Sequence, residues 1–198
     1  MGGQINTVTV AGLGPLELGD YVHSSLRSTV QFATTQAATL NFFQNSIGST
    51  MQGTASTALT SYDTNIPDQG KLPPGWQALI FFMSVYPAPA IVLGDIRDIQ
   101  NKALFKLILG TTDKVSDDGA AYRYPAGGGV YGVSDLTSVE NWTNGLPSSG
   151  ARTPYAIPHS IKELIPFRCE VSFASALATA AVRNYQVSLE GIIRKPVG

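Results

Sequence analysis

The most regular pattern in the chain is an alternation of apolar and polar positions toward its C-terminal end. Phe167, Cys169, Val171 and Phe173 alternate with Arg168, Glu170 and Ser172. Tyr185, Val187, Leu189 and Ile193 alternate in the same way with Asn184, Gln186, Ser188 and Arg194. A period of two with one apolar face marks a half-buried β-strand, so each segment lays one face on a core. The alanine-rich stretch between them, ASALATAAVR, reads as a long connection between antiparallel strands, with a short helix as the alternative.

Further strands are predicted over residues 5–10, 29–34, 38–43 and 103–109. The last of these, ALFKLIL, is apolar on both sides, which predicts a central strand covered on both faces. WQALIFFMSVYPAPAIVLG, residues 76–94, carries no charge and approaches the length of a membrane span. Pro87 and Pro89 interrupt it, and β-branched and aromatic residues fill its first half. A buried strand over 78–86, a proline-marked turn and a second short strand are therefore predicted in place of a transmembrane helix.

Turn-forming clusters separate these runs: GLGP from Gly12, DTNIPDQGKLPPG from Asp63, DDG from Asp117 and TNGLPSSG from Thr143. Many strands, frequent Gly and Pro punctuation and few amphipathic helices predict an all-β antiparallel sandwich. One domain over residues 1–198 is expected, with a long loop region at about 110–160 that holds at most a short strand near Val130.

Composition changes the picture in one respect. Hydrophobic residues make up 43% of the chain, but charged residues only 14%, against about 25% in an ordinary soluble domain. Ser, Thr, Asn, Gln and Gly supply the polarity, and neutral polar groups are cheaper to desolvate than charges. Such a surface suits contact with copies of itself, and aggregation-prone surfaces share the same composition. Net charge is −1 and no run of Lys or Arg forms a stripe, so direct sequence-specific nucleic-acid binding is not expected. MGGQINTVTV has no basic region followed by an apolar run, so no secretory signal is expected there.

Candidate chemistry is sparse. The run RYPAGGGVYG, residues 123–132, invites a phosphate-cradle reading, but no lysine follows its glycines and Val130, Tyr131 and Val133 open no helix. A mobile hinge is the alternative, in which Gly127, Gly128 and Gly129, following Pro125, give the backbone access to positive φ. The two histidines, His23 and His159, lie in no metal-ligand spacing, and His159 reads as a loop residue. Asp20 and several serines lie close to His23 in sequence, but no nucleophile-elbow motif accompanies them. Asp117 with Asp118, and Asp95 with Asp98, read as solvated residues in or beside turns rather than as a catalytic pair. The single Cys169 excludes an intrachain disulfide and reads as a small buried apolar side chain. Asn141-Trp142-Thr143 matches a glycosylation sequon, read as accidental without a secretory signal. No catalytic site, cofactor or metal is expected, and the chain does not read as an enzyme. Tyr122, Tyr124, Tyr131, Trp142 and Tyr155 crowd the loop region, as contact residues for proteins or sugars or as packing of the loop on its own sandwich.

Three elements occur in a suggestive order. Thr64, Asn65, Gly70, Leu72 and Pro73 form a TN…G.LP turn before a core strand. Pro125 with Gly127 to Gly129 forms a P.GGG loop. Leu189, Gly191, Arg194, Pro196 and Val197 form a closing strand, with Lys195 inserted before the proline. This series, over roughly residues 60–198, resembles jelly-roll capsid proteins of tailless icosahedral bacteriophages, whose virions often contain an internal membrane. Many of those proteins carry two jelly rolls in one chain, whereas only one fits here. The resemblance implies a single jelly roll that self-assembles, with copies of itself and other capsid subunits, into an icosahedral virion shell that can overlie a membrane. It also implies that Pro125, Gly127, Gly128, Gly129, Tyr131 and Trp142 belong to a flexible assembly loop, and that the closing Lys195 and Pro196 blunt a final edge strand. The alternative is a carbohydrate- or receptor-binding β-sandwich module of a virion, stacking sugars on the loop aromatics.

Overall fold

The computed structural model describes residues 7–10, 14–17, 21–87, 93–110, 114–124, 132–133, 142–143 and 154–195. The chain is an all-β sandwich. Its elements are β1 (Thr7–Val10), β2 (Gly14–Glu17), β3 (Tyr21–Phe32), β4 (Leu40–Phe42), β5 (Gln77–Pro87), helix α1 (Leu93–Lys102), β6 (Ala103–Leu109), β7 (Lys114–Ala120), β8 (Gly132–Val133), β9 (Trp142–Thr143), β10 (His159–Ile161), β11 (Phe167–Phe173) and β12 (Arg183–Arg194). A 3-10 turn, Ala121–Arg123, follows β7.

Two four-stranded antiparallel sheets form the body, ordered β10-β5-β12-β3 and β4-β11-β6-β7. β1 with β2, and β8 with β9, make separate two-stranded ribbons. Counted along the chain, the eight strands of the body pair as a rolled-up hairpin: first with eighth (β3, β12), second with seventh (β4, β11), third with sixth (β5, β10) and fourth with fifth (β6, β7). The predicted C-terminal alternation is realised on both strands. Phe167, Cys169, Val171, Tyr185, Val187, Leu189 and Ile193 all turn into the core. The stretch between them is an irregular connection, as preferred, but it joins strands of opposite sheets rather than two neighbours.

Aromatic rings fill the space between the sheets. Phe32 stacks on Tyr185 at 4.5 Å and meets Phe173 edge-on at 5.3 Å, while Phe42, Phe43 and Phe105 are fully buried. Each such side chain contributes about 1.5–3 kcal/mol by leaving water.

β6 is central in its sheet, between β11 and β7, but only one of its faces is core. Ala103, Phe105 and Leu107 are buried in the core and Leu109 packs against it, whereas on the other face Leu104 and Lys106 are half-exposed and Ile108 is buried outside the core cluster. Lys106 sits opposite Glu170 of β11 and Asp118 of β7, so that face is a charged one. β3 begins eight residues before its predicted start, because Tyr21 to Ser25 lie at an exposed sheet edge that imposes no apolar alternation.

Where a second short strand is predicted after the prolines, α1 begins at Leu93; residues 88–92 lie outside the described set. Asp95 and Asp98 are therefore helical, not turn residues. Asp95, almost fully buried, accepts the Ala180 amide at 2.8 Å and pairs with Arg183 Nε at 3.3 Å. Asp98 accepts the Ala178 amide at 2.6 Å and pairs with Lys102 one turn on. The two carboxylates thus pin the connection that carries the chain from β11 to β12. Burial works to raise the Asp98 carboxyl, but the Lys102 and Ala178 hydrogen bonds and the Lys102 charge hold it below its usual value.

β12 is not an edge strand. It lies between β5 and β3, pairing with β3 along its whole length, so the expected role of Lys195 and Pro196 in blunting an edge has no edge to act on. Lys195 instead places its ammonium 4.7 Å from the centre of the Trp76 ring; Pro196 lies outside the described residues.

The TN…G.LP segment is a turn, but one folded into the core. Thr64, Ile66 and Leu72 are fully buried. Gly70, at φ +63°, donates to the Phe43 carbonyl and accepts the Phe167 amide, joining the residue after β4 to the first residue of β11. Asn65 plays the part of a missing strand along the outer edge of β3: its side chain accepts the Arg27 amide at 2.8 Å and donates to the Ser25 carbonyl at 2.6 Å. Asn65→Ala removes both bonds and strips that edge, and is expected to cost about 2 kcal/mol. Urea unfolding would measure it, and a loss under about 0.5 kcal/mol would remove Asn65 from that role.

Candidate functional site

One recess among the described residues lies where the two sheets meet on the β7–β10 side. A cavity of about 370 Å³ is lined by Asp117, Arg123, Tyr124, Tyr155, Ile157 and His159, among others. β7, the 3-10 turn and its C-cap Tyr124 supply the first three, and β10 with the segment before it supplies the rest.

Local structure explains the placement. DDG, predicted as a turn, is part of β7, and the register of β6 with β7 shifts between Leu107 and Ile108, leaving Ser116 as the extra residue of a bulge. Asp117 is then within reach of the turn that follows: it accepts the Tyr124 hydroxyl at 2.9 Å and lies 3.8 Å from Arg123 Nη2. Arg123 also donates through Nη1 to the Asp118 carbonyl and lies 5.8 Å from the Tyr124 ring centre. Main-chain bonds anchor both ends of the long connection to β5: the Tyr124 carbonyl accepts the Val85 amide at 2.9 Å, and the Tyr155 amide donates to the Phe81 carbonyl at 2.7 Å.

His159 is not a loop residue. It opens edge strand β10 opposite Ile80, and its ring meets Tyr155 at 4.3 Å between centroids. Burial lowers its pKa, opposed by the Asp117 carboxylate. Burial also raises the phenols of Tyr124 and Tyr155, reinforced by Asp117. The recess therefore presents neutral aromatic groups around one engaged carboxylate, an arrangement for packing and recognition.

The depressed His159 and Asp98 predict acid sensitivity. A group whose pKa is lower in the folded state than in the unfolded one adds stability at high pH, which is lost as pH falls through the folded value. For His159 the loss sets in below about pH 6.5; for Asp98 it follows below the ordinary carboxylate range. The melting temperature is expected to fall between pH 7 and pH 5, and His159→Phe to flatten that part of the profile. An unchanged profile in the variant would assign the sensitivity elsewhere.

No family model, curated protein or solved structure matches this chain.

Of the predicted loop residues, Pro125, Gly127, Gly128, Gly129 and Tyr131 lie outside the described set. Trp142 pairs through its backbone with Val133 in the β8–β9 ribbon. Tyr124 and Tyr155 converge on the recess, while Tyr122 is 66% exposed beside it in sequence. Asp117, Arg123 and His159 join them with no local signal, because their proximity depends on which sheet edges the fold brings together. His23 and His159 lie on strands at opposite edges of their sheet.

A second cavity, about 390 Å³, gathers Gly75, Trp76, Gln77, Lys162, Glu163 and Arg194 at the ends of β5, β10 and β12. Glu163 accepts the Gly75 amide there. Among the described residues no three His, Cys, Asp or Glu side chains group to hold a metal ion, and no helix is long and apolar enough to cross a membrane. Cys169 is buried with its Sγ 3.7 Å from Met83 Sδ, and burial raises its thiol. A thiolate nucleophile is disfavoured at such a position.

Proposed function

We propose that this chain is a structural shell protein: a single jelly roll that self-assembles with its copies, and with sibling capsid subunits, into an icosahedral virion capsid. The observation that carries the reading is the strand order. Pairing of the body strands first with eighth, second with seventh, third with sixth and fourth with fifth supports it, because jelly rolls are built on a double Greek-key plan of two such sheets.

Surface chemistry supplies the second support. With 14% charged residues, the chain meets a neighbour at low desolvation cost. The recess aromatics fit a sugar-binding module less well, because Tyr124 is buried with its hydroxyl on Asp117 and the Tyr155 ring is occupied by His159. In the proposed shell the glycine-rich segment over residues 125–132 serves as the variable contact between non-equivalent neighbours, and a membrane can lie beneath.

Sedimentation velocity over a concentration series tests the reading. Cooperative formation of large particles above a threshold concentration is expected. Monomer at every concentration, with glycan binding abolished by Trp142→Ala, would replace the shell with the sugar-binding module.

A further inference from the structure

Four strand edges bound the two sheets, and three are managed. β4 is only three residues long, and Gln52 Oε1 accepts its Asn41 amide. β7 carries a bulge and two aspartates. β10 is three residues long, and the β5 edge beyond it is tied to Tyr124 and Tyr155. Short strands, bulges, charges and covering loops are the usual devices against edge-to-edge pairing.

β3 is managed over only part of its length. The Arg27 amide and carbonyl both bond Asn65, and the Gln31 amide bonds the Gln52 carbonyl, so residues of that parity point their main-chain groups away from β12. By the same parity, the N–H and C=O groups of Tyr21 and His23 point outward. They have no hydrogen-bond partner among the described residues. No Lys, Asp, Glu or Pro interrupts Tyr21 to Ser24, and Val22 is 57% exposed.

The chain also carries an unplaced ribbon. Among the described residues, β1 and β2 pair only with each other and join neither sheet. A two-stranded ribbon alone is marginal in water and leaves both outer edges unpaired. β1 reads TVTV, four uncharged residues, against an open edge of the same length, and its own β3 is near in sequence yet unpaired with it.

We propose that the β1–β2 ribbon of one subunit adds to the open Tyr21–Ser24 edge of β3 in a second copy, extending that copy's β10-β5-β12-β3 sheet across the subunit boundary. The inference rests on the shell reading and specifies one of its contacts. Main-chain hydrogen bonds supply the affinity in such strand addition. Arm and edge lie on different parts of one chain, so the contact is heterologous and propagates from subunit to subunit.

Two variants test it. Deletion of residues 1–17 removes the arm. His23→Pro removes an outward N–H from the edge without touching the β12 ladder, the setting in which an edge strand tolerates proline. Both are expected to unfold like the parent as monomers, and to need at least about tenfold more protein to assemble, the equivalent of one or two lost main-chain bonds. The decisive arm mixes them. The deletion chain keeps the edge, and the His23→Pro chain keeps the arm, so together they form a one-to-one complex that neither forms alone. Variants that assemble at the parent's threshold, or a mixture that stays monomeric, would overturn the ribbon contact while leaving the shell reading standing. A ribbon that folds onto its own chain would show itself as a lower melting temperature of both monomeric variants with no mixed complex. A parent chain that never associates overturns both.

Discussion

Asp95→Ala is expected to lower the stability of the sandwich by about 3 kcal/mol or more, the range measured when one partner of a buried ion pair is removed. The Asp95 side chain is 3% exposed and that of Arg183 17%, so the guanidinium left behind has little water to turn to. The Ala180 amide loses its acceptor in the same step. Because Asp95 sits on α1 and its partners are Ala180 on the β11–β12 connection and Arg183, the first residue of β12, the effect should spread along β12, the strand on which β3 and β5 both depend. Asp95→Asn keeps the shape and one acceptor, and should cost about half as much. Urea midpoints at constant slope would report the losses. A change below about 1 kcal/mol in Asp95→Ala would mean that the connection is held by its main chain alone.

Gly191→Ala is the second large effect. Gly191 lies in the central strand β12 where the register against β5 shifts. A Cβ there would fall 1.9 Å from the Leu79 carbonyl oxygen, 2.9 Å from its carbon and 3.1 Å from the Ile80 Cα. All three are backbone atoms of the neighbouring strand, so no side chain can swing aside; the strands themselves must part. Overpacking of this kind costs about 1–3 kcal/mol and occasionally more, and a central strand places Gly191 toward the upper end. Gly94→Ala is the control: it lies in α1 with nothing within 4 Å of its added Cβ, and should be neutral or slightly stabilising. Equal soluble yields and melting temperatures for the two variants would contradict the packing argument.

Gly191 also illustrates what was legible in the sequence. The closing motif singled it out, but the reason is a carbonyl on another strand, and nothing near residue 191 names Leu79. The alternating strands were legible because each has one buried face; Phe167 to Phe173 and Tyr185 to Ile193 declare themselves residue by residue. The first half of β3 was not, since an edge strand open to solvent at Val22 and His23 needs no apolar period. α1 was hidden for another reason. LGDIRDIQNK has only Ile96 and Ile99 to mark its buried face, and its carboxylates look like turn residues until Ala178, Ala180 and Arg183 are brought to them.

The recess was half legible. Tyr124 and Tyr155 drew notice as large rings in a loop-like region, and both line it. Asp117 and His159 read as turn and loop residues instead, because a short edge strand of three residues and a bulge are too brief to leave a period in the sequence. The Asn65 contact with β3 belongs to the same class: a turn residue by composition, a strand surrogate by geometry.

Electron microscopy of the purified protein, raised stepwise in concentration, tests the central claim most directly. Closed particles of uniform diameter, with a two-sheet sandwich as the repeating unit of an icosahedral wall, are the predicted result. A dispersed population of single sandwiches under every condition of concentration, salt and pH would contradict it.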